Sequence, residues 1–331
     1  MAHVLSTISG ISYNHKDMDE IVHCLADLSF ATVVTDDQLT LDQKLAAMSL
    51  EIQGWIAKQV FEWISEVDGL ARIKAGNATL VGCRWVFTVP DGTVDIHSAT
   101  IKGRCVVKGF QDTRDLMSAS PTVDKSTFKL FLYASQALHG SITLADVSKA
   151  YLNAEDTFSD SHPLLMRPQL ESGHNPPGFW RLLKAVYGRK DAGLLWNRCL
   201  HSAMMEQGWH RSRLDPCMYY KKSQSTKSCT PTLSHVSVVH VDDLAVAGSQ
   251  SELETAKLGF EMGKVTPLSG KPHSFTGLQV IQTPKGVLIS MELYIINKLC
   301  HPVTFVRRNP SSPLPVQGTL PTPKLDRSTV R

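Results

Sequence analysis

The stretch Ser234-His235-Val236-Ser237-Val238-Val239-His240-Val241-Asp242-Asp243-Leu244-Ala245-Val246-Ala247-Gly248 decides the fold of this chain. β-Branched residues alternate with small or polar ones up to two adjacent carboxylates, and a short apolar run follows. This pattern predicts a strand, a tight turn and a second strand, with Asp242 and Asp243 side by side at the turn. Aspartate is common in turns, so an ordinary hairpin corner is one interpretation. A metal site is the other, because a divalent cation removes the repulsion between neighbouring carboxylates.

Composition limits the class of protein. The chain has 331 residues, 42% of them hydrophobic, which is enough for one large or two medium domains. Its net charge of +3 is small, so nucleic-acid binding would need a local basic patch. The seven cysteines form no Cys-x-x-Cys pair, which argues against a zinc site and a secreted disulfide scaffold. Without a signal peptide or membrane-spanning run, we predict an intracellular protein, cytoplasmic or nuclear, with no membrane partner. Nothing indicates an oligomeric state.

We expect three regions along the chain. Residues 1–40 are weakly periodic and are interpreted as a linker or the remnant of an upstream segment, residues 41–300 form the main domain, and residues 301–331 form a disordered tail. Within the domain, apolar spacing predicts a helix from Leu41 to Glu66, closed by Gly69. Further helices are predicted over 125–139, 194–207, 252–262 and 291–299, and a strand pair over 275–281 and 287–290.

A basic hairpin is predicted near the start of the domain. The strand 79–89 is followed by a turn and by a return strand over 101–110, which carries Lys102 and Arg104. Residues at alternate positions project from one face of a strand. These cations form either a solvated outer face or a clamp for the phosphates of a ligand.

A third acid ends a short apolar strand over 141–147. A carboxylate such as Asp146 at the end of a buried strand is costly unless it is paired, caps a helix or binds a metal. Helix capping and metal binding both remain open for Asp146 from this segment alone. The chain order is therefore basic strand, single acid, acid pair. Nucleotidyl transfer with two metal ions needs carboxylates from separate elements and cations that grip a polyphosphate, so this order predicts a polymerase of the palm-and-fingers type.

At these residues the sequence resembles the reverse-transcriptase domain of copia-type (Pseudoviridae-like) LTR retrotransposons, over about residues 41–300. Seven motifs in the family's order carry the resemblance. They are Gly82–Phe87 (family pattern G-[CY]-[KR]-W-V-[FY]), Lys102–Phe110 (K-A-R-L-V-A-K-G-[FY]), Asp146–Asn153 (D-V-K-T-A-[FY]-L-N), Tyr187–Lys190 (Y-G-L-K), Asp215–Tyr219 (D-P-C-[LV]-Y), His240–Leu244 (Y-V-D-D-[LM]) and Phe275–Leu278 (F-L-G-[IL]).

The resemblance implies an α+β fold of the right-hand polymerase type, with fingers and a palm whose antiparallel sheet is backed by helices. It implies an RNA-directed DNA polymerase that adds dNTPs to a primer 3′-hydroxyl on an RNA or DNA template. Asp146, Asp242 and Asp243 would be catalytic and would hold two Mg²⁺ ions, with Mn²⁺ as an alternative. The chain would then be a fragment of a polyprotein, and residues 1–40 a remnant of its upstream part.

The resemblance also implies roles for residues beside the acids. Lys102 and Arg104 would contact the triphosphate of the incoming dNTP. Tyr151 would lie beneath its sugar and exclude a 2′-hydroxyl, although a packed helix aromatic is the simpler interpretation of Tyr151 from spacing alone. Tyr187, Gly188 and Lys190 would contact the template and primer.

Several residues depart from the family patterns. His240 replaces a Tyr, and Gly103 replaces a small apolar residue and weakens its strand. The family's K-Q-A-P becomes Lys190-Asp191-Ala192-Gly193, and an acid at Asp191 would repel the phosphates of a nucleic acid. The family's Gly-x-Asp-Tyr is reduced to Thr113-Arg114-Asp115. A decayed, non-catalytic domain that keeps the fold and binds nucleic acid is therefore an alternative function. An unrelated metal-dependent hydrolase is a third, although it would not need the basic strand.

Overall fold

The computed structural model describes residues 31–90, 95–118, 120–157, 160–168, 178–223, 232–268, 270–291 and 295. Residues 1–30 of the predicted linker, most of the predicted helix 291–299 and the predicted tail 301–331 lie outside the described residues. The chain divides into two compact units. The larger unit spans Ser29–Ser269, and the described residues of the smaller one are 270–291 and 295.

The larger unit combines short strands with a few helices. Its strands are β1 (Ala31–Val34), β2 (Phe61–Ile64), β3 (Thr79–Val81), β4 (Cys83–Pro90), β5 (Lys102–Val107), β6 (Ser141–Val147), β7 (Leu164–Met166), β8 (Phe179–Leu182), β9 (His210–Arg211), β10 (Met218–Ser223), β11 (Thr232–His240), β12 (Asp243–Gly248) and β13 (Met262–Pro267). Its helices are α1 (Leu41–Ala57), α2 (Glu66–Lys74), α3 (Lys125–Ala137), α4 (Ala192–Glu206) and α5 (Ser251–Ala256). The fold is therefore mixed α and β, as the sequence predicted.

The largest sheet has six strands in the order β13-β6-β12-β11-β10-β9, and every neighbouring pair is antiparallel. Helix α4 packs on this sheet, and its Leu195, Trp196 and Leu200 share a buried cluster with Leu244 and Val246 of β12. At about 1.5–3 kcal/mol for each fully buried large apolar side chain, this cluster is a major source of stability for the sheet. The predicted hairpin lies at its centre as β11 and β12.

Two smaller sheets complete the larger unit. The basic hairpin was predicted correctly: β4 and β5 pair antiparallel, and β1 pairs with the other edge of β4. The second is a four-stranded sheet with the order β2-β8-β7-β3, in which only β3 and β7 run parallel. The smaller unit contains a three-stranded antiparallel sheet of β14 (His273–Phe275), β15 (Leu278–Thr283) and β16 (Gly286–Ser290).

The helix predicted over 41–66 is two elements in the structure. Helix α1 ends at Ala57, Gln59 takes a left-handed φ of 52°, and β2 follows. Aromatic residues favour strands where they can pack, and here the Phe61 ring stacks on the Trp180 ring at 3.9 Å. Gly69, predicted to close the helix, instead lies inside α2, where a β-carbon would stand 2.3 Å from Phe179.

Two other boundaries differ from the prediction. Residues 31–38, assigned to the linker, form β1 and a 3₁₀ turn, because the backbone of Ala31–Val34 pairs with β4. The helix predicted over 252–262 ends at Ala256, and Gly259 then takes a left-handed φ of 75° before β13 begins. Pairing with β4 therefore orders residues 31–34, and the helix predicted over 252–262 stops before Gly259 although the apolar spacing continues. In the part of the chain that the structure describes, no helix is both long and apolar enough to cross a membrane.

Candidate active site

The three predicted catalytic acids meet at one end of the six-stranded sheet. Asp146 of β6 stands directly opposite Asp243 of β12 in the antiparallel register. Directly opposite residues have β-carbons about 4.5–5.5 Å apart. Asp242 lies in the turn before β12, and its carbonyl accepts a hydrogen bond of 3.0 Å from the Val147 backbone N–H. Asp146 is part of the strand and caps no helix, since the following 3₁₀ turn begins after Lys149.

The turn that carries Asp242 is tight and strained. His240 pairs with Asp243, so Val241 and Asp242 form a two-residue turn. Val241 takes a left-handed φ of 59°, which is rare for a β-branched residue and costs on the order of 1–3 kcal/mol. The indole N–H of Trp196 on α4 donates a hydrogen bond of 2.6 Å to the Val241 carbonyl. The buried Trp196 on α4 therefore stabilises the turn through this hydrogen bond.

Electrostatic repulsion couples the acids. Burial, followed by the charges of Asp242 and Asp146, raises the pKa of Asp243 to about 7. Burial and the charge of Asp242 also raise the pKa of Asp146, while Lys102 and Arg104 act in the opposite direction. The basic strand β5 is thus close enough to offset the acid site. A divalent cation would remove the remaining repulsion.

The donor chemistry of this site fits Mg²⁺ or Mn²⁺, because carboxylate oxygens are the ligands that hard divalent cations prefer. Asp146 and Asp243 project from neighbouring strands, and Asp242 adds a third carboxylate that is exposed at the turn. Within the described ranges, however, no three Asp, Glu, His or Cys side chains converge closely enough to hold an ion as they stand. Ion binding would therefore require the carboxylates to turn toward one another.

A cleft of about 680 Å³ opens beside Asp146. Lys102 and Arg104 of β5 line it, as does Tyr187. Its opposite wall is α1, and Gly103 explains how the helix approaches β5: a β-carbon on Gly103 would lie 3.2 Å from the Ala47 carbonyl. The glycine expected to weaken the strand therefore makes room for the cleft wall. The cleft is open to solvent and large enough for a nucleotide-sized ligand.

Two tyrosines stand side by side near this cleft. Tyr151, on the 3₁₀ turn Ala150–Asn153, contacts the Tyr187 ring edge-on, with ring centroids 5.3 Å apart. The guanidinium of Arg104 lies 5.8 Å from the centre of the Tyr187 ring. Burial, then the charge of Glu51, raises the pKa of Tyr187 to about 12, so its hydroxyl stays protonated at neutral pH. Tyr151 is half-buried among these groups and is not a fully packed core aromatic.

The Tyr187–Lys190 turn lies against the end of β5. The Val107 backbone N–H donates a hydrogen bond of 2.8 Å to the Tyr187 carbonyl. Gly188 has a left-handed φ of 89°, and a β-carbon there would lie 2.1 Å from the Val107 carbonyl oxygen, so only glycine fits. The Lys190 ammonium donates a hydrogen bond of 2.5 Å to the Asp112 carbonyl. The backbone thus holds this lysine at the edge of the turn.

The expected repulsion by Asp191 is a wrong prediction. Its carboxylate is buried and accepts hydrogen bonds of 2.9 and 2.8 Å from Arg189. Because the charge is paired and buried, it does not face solvent or a nucleic-acid groove. Arg114, part of the reduced Gly-x-Asp-Tyr segment, likewise forms a bidentate pair with the buried Asp112.

Sequence reasoning missed two residues at this site. Glu51 on α1 is buried, accepts a hydrogen bond of 3.1 Å from the Trp55 indole and lies 3.3 Å from the Lys149 ammonium. An acid on the apolar face of a predicted helix was the available signal for Glu51. Gly263 of β13 packs against Asp146, and a β-carbon there would lie 2.6 Å from the Asp146 Oδ2. Only the strand pairing reveals this contact.

Comparison with known proteins agrees with this geometry. Residues 73–314 match the family model described as reverse transcriptase (RNA-dependent DNA polymerase). The chain is 26% identical over 260 residues to a retrovirus-related Pol polyprotein from transposon RE1 of Arabidopsis thaliana, covering 75% of the chain and 16% of the relative. It is 25% identical over 222 residues to a retrovirus-related Pol polyprotein from transposon TNT 1-94 of Nicotiana tabacum, covering 64% of the chain and 16% of the relative.

Asp146, Asp242 and Asp243 thus lie at one end of an antiparallel sheet, with the cations of β5 nearby. The chain belongs to the reverse transcriptase (RNA-dependent DNA polymerase) family, because the family model covers well over half of it. The prediction of a copia-type retrotransposon reverse-transcriptase domain is thereby confirmed. The chain spans only 16% of the length of the RE1 relative, so it corresponds to one part of such a polyprotein.

Proposed function

We propose that this chain is an RNA-directed DNA polymerase that adds dNTPs to a primer 3′-hydroxyl. The observation that carries the proposal is the cross-strand pair of Asp146 and Asp243, with Asp242 in the adjoining turn and a basic strand beside them. Carboxylates on separate elements and nearby cations are what two-metal nucleotidyl transfer requires. The six-stranded sheet would be the palm, and the β4–β5 hairpin would belong to the fingers of a right-hand polymerase.

Asp146, Asp242 and Asp243 would hold two Mg²⁺ ions, or Mn²⁺ in their place. When bound, the ions would supply activation of the primer hydroxyl and stabilisation of the charge on the leaving pyrophosphate. The protein's own part would be to carry the three carboxylates on two paired strands and the turn between β11 and β12, beside the cations of β5. Lys102 and Arg104 favour the ionised form of Asp146, which supports this role.

The other side chains would position the substrates. Lys102 and Arg104 would bind the triphosphate of the dNTP, because both project into the cleft from one strand. Tyr151 would close the floor beneath the sugar and disfavour a 2′-hydroxyl. Tyr187, Gly188 and Lys190 would lie along the RNA or DNA template and its primer, since their turn borders the same strand.

Primer extension on an RNA template tests this proposal. The native chain should extend a primer with dNTPs and Mg²⁺, and Asp242→Asn and Asp243→Asn should each abolish extension. Asp160→Asn is the matched control, because Asp160 is almost fully exposed and pairs only with Arg181 at the surface among the contacts described. The control should keep native activity.

A decayed domain would give a different result. Folded native protein would then extend no primer with Mg²⁺ or Mn²⁺ and would show no rise in thermal midpoint when either ion is added. That outcome would refute catalysis and leave nucleic-acid binding as the remaining function. Extension that survives in the Asp242 or Asp243 variant would instead place the reaction elsewhere in the chain.

A further inference from the structure

Two departures from the family patterns lie in contact with each other. The patterns Y-G-L-K and K-Q-A-P have Leu and Gln where this chain has Arg189 and Asp191. In the structure the Arg189 Nε and Nη2 donate hydrogen bonds of 2.9 and 2.8 Å to the two Asp191 carboxylate oxygens. Both side chains are buried, with exposures of 0% and 3%. Without Arg189, the Asp191 carboxylate would be an uncompensated buried charge, which is strongly destabilising.

The pair is part of a larger buried ion cluster. The Arg189 Nη1 also donates a hydrogen bond of 2.8 Å to Asp156, and Arg114 lies 3.6 Å from the same carboxylate. Arg114 in turn holds Asp112 through two hydrogen bonds. Burial opposes ionisation of Asp112, but the hydrogen bonds and charge of Arg114 prevail and lower its pKa. Two arginines and three aspartates thus form one buried cluster in which every aspartate has an arginine partner.

This cluster joins the three chain segments that hold the Tyr187–Gly188 turn. Asp112 follows β5 and receives Lys190 at its carbonyl, Asp156 follows the 3₁₀ turn that carries Tyr151, and Asp191 precedes α4. Asp191 occupies the N-cap position of α4, yet its side chain makes no capping hydrogen bond there. Its carboxylate is directed to Arg189 instead. The pairing therefore fixes the backbone on both sides of the turn.

We infer that Arg189 and Asp191 are one compensated replacement and act as positioning residues for the Tyr187–Gly188 turn. They do not touch the cleft; they set the place of the residues that border it. The inference rests on the proposed function only for the nucleic-acid contact of this turn. The coupling of the two charges and the position of the turn are properties of the fold itself.

A double-mutant cycle tests the coupling without any assay of activity. The variants are Arg189→Leu, Asp191→Gln and the double variant, each measured by urea unfolding. Asp191→Gln should lower the unfolding midpoint in the native chain, because it removes a partner of Arg189. In the Arg189→Leu chain the same change should raise the midpoint, because it removes an unpaired buried carboxylate. Equal shifts in both backgrounds would overturn the compensated replacement.

Amide hydrogen exchange tests the positioning role. The Val107 N–H, which donates to the Tyr187 carbonyl, should lose protection in Arg189→Leu and regain part of it in the double variant. Glu254→Gln is the matched control, because Glu254 is also a buried acid with ion-pair partners, Lys221 and Lys257. It lies far along the chain from the Tyr187–Gly188 turn. The comparison is made where Glu254→Gln and Arg189→Leu have the same unfolding midpoint. If Glu254→Gln then lowers the protection of the Val107 N–H as much as Arg189→Leu does, the pair does not specifically position the turn and the inference fails.

Binding of a fluorescent primer–template then connects the turn to function. Arg189→Leu should weaken binding about tenfold, which corresponds to about 1.4 kcal/mol, while Glu254→Gln leaves it unchanged. Equal binding in Arg189→Leu and the native chain would refute a role for the turn in nucleic-acid contact. If the native chain binds no primer–template, the proposed function fails, whereas the unfolding cycle and the exchange data still decide whether the two residues form one positioning pair.

Discussion

Replacing Gly263 with alanine should impair catalysis far more than folding. Gly263 lies in β13 at a register shift between Met262 and Val265, beside the strand that carries Asp146. It is not among the glycines with a left-handed φ, so the backbone accepts alanine. The added β-carbon would lie 2.6 Å from the Asp146 Oδ2 and 3.0 Å from the Ser148 Oγ. The methyl group therefore meets a carboxylate that we propose to be catalytic.

The size of the effect follows from these distances. Ordinary contact begins at 3.4 Å, so the carboxylate oxygen must move by about 0.8 Å (3.4 minus 2.6). Turning a side chain away from its preferred rotamer costs about 0.5–1.5 kcal/mol. Replacing glycine returns about 0.4–1 kcal/mol by restricting the unfolded chain, so stability should change by less than about 1 kcal/mol. A displacement of about 1 Å at a reacting centre can reduce the rate about 100-fold.

Steady-state primer extension and urea unfolding, run on the same preparations, measure both quantities. We expect Gly263→Ala to lower kcat by about 100-fold with an unfolding free energy near that of the native chain. Val265→Ala on the same strand is the control, because that position does not meet Asp146, and it should keep native kcat. If Gly263→Ala extends primers at the native rate while Asp146→Asn is inactive, the orientation of Asp146 does not limit catalysis and the argument is refuted.

Three further predictions concern charges. In EDTA at pH 8, Asp243→Asn should raise the unfolding free energy, by at most about 4 kcal/mol, because a pKa raised from 3.8 to about 7 penalises the ionised native state; a loss of stability would contradict this. Glu51→Gln should cost about 2 kcal/mol in urea unfolding, against less than about 0.5 for Glu62→Gln, whose carboxylate is half exposed. The pKa of Asp112 is lowered in the folded chain, so Asp112 contributes its full stabilisation above its unfolded pKa and loses it as the pH falls. Asp112→Asn should therefore flatten the decline in unfolding free energy between about pH 4 and pH 2. An unchanged slope would exclude Asp112 as a cause of that decline.

The sequence predicted those parts of the fold that depend on local pattern. The hairpin β11–β12, the basic hairpin β4–β5 and helix α4 all follow from apolar spacing and turn residues within one segment. Helix α3, predicted over 125–139, also begins locally, since the Asp124 carboxylate at its N-cap accepts a hydrogen bond of 2.7 Å from the Ser126 N–H. The two hairpins carry Lys102, Arg104, Asp242 and Asp243, so this part of the site could be outlined from the sequence.

The predictions that failed depend on partners distant in the chain. Residues 61–64 continue the helical spacing of α1, yet they form a strand because β8 is available to pair with them. Residues 31–34 have no local signal and are ordered by β4. Asp191 looked like a surface acid although Arg189 is close to it in sequence, because the buried Asp156 that also binds Arg189 lies 33 positions away along the chain. Tertiary pairing decides each of these cases over local propensity.

Two groups of aspartates among the described residues differ in a way that bears on decay. In the cluster around Arg189, each aspartate has an arginine partner, so the cluster is satisfied by the chain alone. At the sheet end, Asp146 and Asp243 face each other with raised pKa values, and a change of either to asparagine would relieve that repulsion. A chain that only had to fold would gain from such a change. The chain nevertheless keeps both acids, and a divalent cation and a substrate bound between them would offset their repulsion. For this reason we favour the working polymerase over the decayed domain.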